Sequence, residues 1–272
     1  MGFSPKKELL RFLAEDIGKG DISSALLPRK KINAKIISRE TGIVAGVNFA
    51  KEVFSLKGCR VQILKKDGSN VKPDQVIMKI SGTAQAILSC ERTALNLLSR
   101  MSGIATQTNN LVKKIPRGKT KLYATRKTAP GLRFFDKEAV KIGGGEKHRM
   151  RLDEMVMLKD NHLAVGDSLE KLIKKAKSKH KKIEVEVENK KDALIAAKQG
   201  ATIIMLDNFT PNQITKTMSS LSKAGLRNKV KLEASGGINE KNIKKYAKTG
   251  VDIISVGAIT TSVKGIDLSL EV

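Results

Sequence analysis

Between Ala124 and His162 the chain reads ATRKTAPGLRFFDKEAVKIGGGEKHRMRLDEMVMLKDNH, a segment dense in groups that could do chemistry. Two of the three histidines, His148 and His162, lie in it. Lysines outnumber arginines forty to twelve, yet four arginines (Arg126, Arg133, Arg149 and Arg151) fall within 26 residues here. The guanidinium fork matches carboxylate and phosphate geometry, so arginine concentrated against a lysine background points to recognition of an anion. Lys127, Lys159 and the triple glycine Gly143 to Gly145 extend the same pattern. By composition alone this could equally be a solvated basic loop. The order of residues along the chain favours a pocket.

That order is set by the elements around the segment. Short apolar runs recur at KLYAT (121), EMVMLKD (154), IEVEVEN (183), TIIMLDN (202), VKLEASGG (230) and DIISVGA (252). Helical patterns separate most of them, at 168–178, 190–198, 211–223 and 240–248. Strand alternating with helix predicts parallel βαβ units. Without an early GxGxxG, about six units favour a closed or nearly closed barrel over an open dinucleotide-binding sheet, which stays the alternative. In a parallel barrel Arg126, Lys127, Lys159, Glu186, Asp207, Ser235, Gly236, Gly237 and Gly257 all follow or end strands, so all reach the carboxyl-terminal rim. The SGG and VGA turns on the last two strands could bring backbone N–H groups to a phosphate. Glu186 and Asp207 are hard oxygen donors suited to Mg²⁺ or to ribose hydroxyls. Two acidic residues paired with lysines would be the ordinary structural explanation.

Upstream, a short helix is expected over 6–14, followed by β-rich runs from 34 to 80 with a hairpin signal at Asp67-Gly68. A long amphipathic helix follows over 86–115, carrying Glu91 and Arg92 near its start. Two domains are expected, 1–115 and 116–263, with 264–272 as a candidate return to the first.

The formal charge is +25 over 272 residues. A nucleic-acid binder could carry such a charge, but there is no tryptophan and only two tyrosines to build a stacking platform. A binder of small polyanions with a lysine-rich surface fits better. Cys59 and Cys90 are too few for a disulfide framework or a zinc cluster and read as buried thiols. No signal-peptide core or membrane-length apolar run is present, so a cytoplasmic location is expected.

The segments EDIGKGDISS, ERTALNLLSRMSGIAT, TRKTAPGLR, GGGEKHRMRLDEMVMLKDNH, EVEVEN, LDN, EASGGI and GVDIISVGAIT occur in an order that resembles the quinolinate phosphoribosyltransferase family. They span Glu15 to Thr260, and the GGG…HR…KDNH block is the most specific of them. The resemblance implies an N-terminal α/β sandwich domain and a C-terminal incomplete parallel α/β barrel, in a homodimer with shared active sites. It implies that quinolinate is bound by Thr125, Arg126, Lys127, His148, Arg149 and Lys159, with Arg92 arriving from the neighbouring subunit. Phosphoribosyl pyrophosphate would meet Lys127, Glu186, Asp207, Ser235, Gly236, Gly237 and Gly257. Of these, Lys127, Glu186 and Asp207 would be catalytic, and the two carboxylates would hold Mg²⁺. Rival expectations are a paralogous protein of molybdenum utilisation, a basic RNA-binding protein, and a phosphate-binding lyase or isomerase using Lys127 or Lys159.

Overall fold

The computed structural model describes residues 3–272. In chain order its first elements are α1 (Pro5–Ile17), β1 (Lys31–Ser38), β2 (Gly42–Ile43), α2 (Val47–Ser55), β3 (Arg60–Ile63), β4 (Asn70–Val71), β5 (Val76–Thr83) and α3 (Ala84–Lys114). There follow β6 (Lys121–Tyr123), α4 (Arg133–Ile142), β7 (Val156–Leu158), α5 (Asp160–Val165), α6 (Leu169–Lys177), β8 (Ile183–Val187) and α7 (Lys190–Gln199). The last are β9 (Ile203–Asp207), α8 (Pro211–Lys223), β10 (Lys231–Ser235), α9 (Ile243–Ala247), β11 (Ile253–Ser255), α10 (Ala258–Thr261) and β12 (Leu268–Glu271). Two compact units result, and the division falls within α3. One takes the chain up to Asn109 with Glu138–Gly143 and Ser262–Val272; the other takes Asn110–Lys137 and Gly144–Thr261.

The first unit is built on an antiparallel sheet ordered β12-β1-β5-β3. Along β1 the side chains of Ala34 and Ile36 are buried while Lys31, Asn33 and Lys35 are exposed, the alternation of a sheet with one covered face. The last strand in sequence pairs with the first, Lys35 opposite Glu271 and Ser38 opposite Leu268. Within this unit α3 buries Ile87, Cys90, Ala94, Leu98, Met101 and Ala105, a stripe at helical spacing. A side chain at Gly103 would run into the Lys264 carbonyl and the Gly265 Cα. Both cysteines are buried and free.

The expected hairpin at Asp67-Gly68 is not one. The turn forms, with Gly68 at φ 84, but β3 pairs with β5 and β4 pairs with β2. The Asp67 carboxylate instead accepts hydrogen bonds from the Gly46 and Val47 N–H groups at the start of α2 (2.6 and 3.0 Å). An Asp-Gly pair signals a left-handed turn; what the turn joins is decided by long-range pairing.

The second unit carries a parallel sheet ordered β6-β11-β10-β9-β8-β7. All six expected strands form. The first two of them, β6 and β7, are the two edges, so the barrel is open between them. Glu146 bridges to Tyr123 on the β6 side of that opening. β8, β9 and β10 are buried along most of their length, as parallel strands covered on both faces must be. The helix α4 is not legible in the sequence, where its residues lie inside the basic segment. No helix among the described residues is long and apolar enough to cross a membrane.

Candidate active site

At the carboxyl ends of these strands lies a cavity of about 580 Å³. Thr125, Arg126 and Lys127 enter it from the loop after β6, and Lys159 follows β7. Glu186 comes from β8 and Asp207 ends β9. Ser235 ends β10 and is followed by Gly236 and Gly237, while Gly257 follows β11. His148 and Arg149 complete the wall from the segment between α4 and β7. Every residue expected in the site is therefore brought to one pocket except Arg92, an exposed residue of α3 in the first unit that does not line it.

One end of the pocket is cationic. The Nε atoms of Arg126 and Arg149 are buried and have no hydrogen-bond partner among the described residues. Arg149 donates from Nη1 to the Met155 carbonyl (2.9 Å) and from Nη2 to Met157 Sδ (3.2 Å). Burial, and next the neighbouring Arg126 charge, push the Arg149 guanidinium down from its ordinary value. Two like charges in low dielectric, each with an idle buried donor, form a receptor for a polyanionic ligand.

The other end is built for close backbone approach. Gly236 has φ 92 and Gly237 φ 60, both left-handed. A Cβ on Gly236 would collide with the Asn208 side chain and come within 2.8 Å of the Asn208 N. Gly237 would meet nothing within 4 Å, so its backbone faces open space. At Gly257 a Cβ would lie 3.1 Å from Lys127 Cδ, so the glycine lets that lysine lie against the turn. Between the two ends Glu186 pairs with Lys159 (Oε2 to Nζ, 2.5 Å), and Asp207 Oδ2 accepts from Asn208 Nδ2 (2.7 Å).

Three residues were missed by sequence reasoning: Glu233, which lines the pocket, and Lys137 and Glu184, which do not. Lys137 on α4 is fully buried, and its ammonium donates to the carbonyls of Arg149 (2.5 Å) and His148 (3.4 Å). Glu184 and Glu233, also fully buried, face His148: Nε2 lies 3.1 Å from Glu184 Oε2 and 3.7 Å from Glu233 Oε2. The Ser255 hydroxyl donates to Glu233. For Glu184 and Glu233 the available signal was charge inside strands that a parallel barrel buries on both faces.

The Arg149 N–H donates to His148 Nδ1 (2.8 Å), while Nε2 has the two glutamates as charge neighbours without an aligned hydrogen bond. Burial disfavours a charge on the ring, but Glu184 and Glu233 outweigh it and raise its proton affinity, to about 9. In the neutral ring the Arg149 N–H occupies the Nδ1 lone pair, so the proton sits on Nε2, against the glutamates; the second proton that the glutamates favour would have to displace that N–H. Burial also pushes Glu184 up, with Glu233 adding to the push. The trio His148, Glu184 and Glu233 has the composition of a metal-ligand set. A neutral imidazole binding a metal through Nε2 would carry its proton on Nδ1, where the Arg149 N–H already points, so the geometry opposes that use.

Burial pushes Lys137 down to about 8, with Arg133 adding to the shift. The unfolded chain therefore binds more protons than the folded one between about pH 8 and the ordinary lysine value, and stability contributed by this group rises with pH through that window. The effect is on the order of 3 kcal/mol at full titration. Denaturant unfolding between pH 7 and 10 should show this rise in the native protein and its absence in Lys137→Met. Parallel curves for the two proteins would contradict it.

An open parallel barrel whose carboxyl-end pocket joins paired guanidiniums to a glycine cradle defines an enzyme acting on small anionic substrates. Residues 21–102 match the model of the quinolinate phosphoribosyl transferase N-terminal domain, and residues 104–271 match that of its C-terminal domain. The chain is 46% identical over 255 residues to a probable nicotinate-nucleotide pyrophosphorylase (carboxylating) of Archaeoglobus fulgidus, covering 93% of this chain and 98% of the relative. A probable enzyme of the same name from Bacillus subtilis is 41% identical, over 98% of this chain and 93% of its own. The solved structure of the nicotinate-nucleotide pyrophosphorylase from Francisella tularensis superposes with a TM-score of 0.91 at 42% identity, covering 99% of this chain and 97% of that one. The chain belongs to the quinolinate phosphoribosyltransferase family.

Proposed function

We propose that this protein transfers the phosphoribosyl group of phosphoribosyl pyrophosphate to quinolinate with loss of CO₂, giving nicotinate mononucleotide and pyrophosphate for NAD biosynthesis. The observation that carries this reading is the pair of buried guanidinium Nε donors of Arg126 and Arg149, idle in a pocket that ends at a glycine cradle. Two adjacent carboxylates on a planar ring would satisfy them. Arg126, Arg149 and Lys159 take these carboxylates, His148 serves the same end through its contacts to Arg149, and Thr125 borders it. The Ser235-Gly236-Gly237 turn and Gly257 take the 5′-phosphate on backbone N–H groups. Lys127, lying over Gly257, neutralises the pyrophosphate.

Glu186 and Asp207 suit Mg²⁺, since both are hard oxygen donors near the ends of adjacent strands and both line the pocket. Held by these two carboxylates, Mg²⁺ would supply charge neutralisation for the departing pyrophosphate. The same carboxylates, facing the ribose, stabilise positive charge that develops at its anomeric carbon as the C–O bond to pyrophosphate breaks. The pyridine nitrogen forms the new bond to that carbon, so no protein nucleophile is required. The ring nitrogen is then cationic and draws electrons from the adjacent carboxylate, which leaves as CO₂ while its ring carbon takes up a proton. Arg92 completes the site from a partner subunit in a homodimer.

The test is turnover with phosphoribosyl pyrophosphate and Mg²⁺, supplying quinolinate or nicotinate in separate reactions and following CO₂ and mononucleotide. Turnover with CO₂ release from quinolinate alone is expected. Turnover with nicotinate alone would mean that the arginines read a single carboxylate. Silence with both, in folded protein, would turn the reading towards the molybdenum-linked paralogues.

A further inference from the structure

We infer that Lys137 and Glu184, neither of which lines the pocket, are positioning residues for the quinolinate end of the site: they fix the His148–Arg149 main chain so that the Arg149 guanidinium faces the substrate. The inference rests on the proposed function and adds two residues to its machinery.

The segment needs holding. His148 sits at φ 53, a left-handed conformation that a side chain with a Cβ adopts at a cost and keeps only when its surroundings impose it. Two buried groups impose it from opposite sides. Behind the chain, the Lys137 ammonium bonds both carbonyls that flank the His148–Arg149 junction. An ammonium with no exposed surface is costly, and here its hydrogen bonds go to main-chain atoms of the two residues next to the pocket. In front, the His148 ring is held between the Arg149 N–H and Glu184. Glu184 has both oxygens buried without an aligned hydrogen bond among the described residues, so the His148 ring is the contact that accounts for its presence. Glu233, tied to Ser255, backs the same ring from the next strand but one.

Arg149 itself has little else to orient it. Its side chain has one carbonyl and one thioether as partners and keeps Nε idle. A small rotation at the His148–Arg149 junction would swing the guanidinium away from Arg126 and separate the two donors. The phosphate end draws on Ser235, Gly236 and Gly257, on or after β10 and β11, whereas the clamp holds the His148–Arg149 segment, so the two substrates should respond differently when the clamp is loosened.

The experiment measures both Michaelis constants for Lys137→Met and Glu184→Leu, with Glu184→Gln as the conservative variant. Each of the first two should raise KM for quinolinate about tenfold or more, the loss expected when a buried hydrogen-bonded group is left unheld, while KM for phosphoribosyl pyrophosphate stays within about twofold. Glu184→Gln keeps shape and polarity against the ring and should recover most of the quinolinate affinity. Equal changes in both constants, or an unmoved quinolinate constant, would overturn the inference. If neither Lys137→Met nor Glu184→Leu folds, the cluster is a folding element and the inference fails as well. Turnover of the unmodified protein is recorded first: its failure with quinolinate would defeat the proposed reaction, whereas normal turnover with unaffected variants would defeat only the positioning role.

Discussion

Replacing Arg149 with alanine should lower kcat/KM for quinolinate at least about tenfold and leave the protein folded, because a charge-assisted hydrogen bond to a bound anion is worth about 1.5–3 kcal/mol. The guanidinium lies in the cationic end of the cavity with an idle Nε, and its present partners are a carbonyl and a thioether. Neither is a counter-ion. The folded protein thus loses little by the truncation, and relief of repulsion with Arg126 offsets part of that loss. A ligand carrying two carboxylates loses the most. Steady-state kinetics with quinolinate varied at saturating phosphoribosyl pyrophosphate will measure the change, and thermal unfolding will verify the fold. An unchanged rate would remove Arg149 from the substrate site.

Gly236→Ala is expected to be the most damaging single methyl group in the pocket. At φ 92 an alanine is strained by roughly 1–2 kcal/mol before any contact is considered. Its Cβ would also press on Asn208, whose main-chain N would be 2.8 Å away and whose side-chain oxygen would be closer still. Asn208 is itself left-handed, at φ 56, and donates to Asp207. The strain therefore reaches one of the carboxylates assigned to the ribose and Mg²⁺ as well as the phosphate turn. We expect KM for phosphoribosyl pyrophosphate to rise about tenfold or more, with a melting temperature lower by several degrees. Quinolinate binding, measured alone, should change little. A variant with native stability and a native constant for the sugar substrate would show that this turn does not hold the phosphate.

Much of this site could be read from the chain before its structure was known. Strand ends are legible because a buried parallel strand is a short, uniform apolar run, and the polar residue that ends it stands out. Asp207 after TIIML and Ser235 after KLEA are of this kind, and the fold brings both to the rim. What stayed hidden was chemistry placed inside the runs. In IEVEV, Glu184 and Glu186 are two residues apart and so share a face of β8, one deep and one at the rim. Only Glu186 stands out in the sequence, because only its position matches a rim. Lys137 was lost for another reason. The helix that buries it begins inside a stretch whose arginines and glycines have the composition of a loop, and the spacing of Phe135, Ala139 and Val140 is too short a stripe to outweigh them. The Asp67-Gly68 turn shows the complementary limit: local chemistry specified the bend, while strand partners far along the sequence decided that no hairpin would use it.

The pairing of β12 with β1 has a consequence for how the protein is made. Arg39, just past β1, bonds to Glu271, 232 residues further on. At about 5–20 residues per second on the ribosome, β1 leaves the exit tunnel roughly ten to fifty seconds before the strand that covers its outer edge. Through that interval the nascent sheet can be no more than β1-β5-β3, with one row of main-chain donors and acceptors open to any passing strand. Lys31 and Lys35 stand exposed along that row, and Lys35 later pairs with Glu271. These positive charges, one of which ends in an ion pair in the finished molecule, would during synthesis repel a second copy of the same edge.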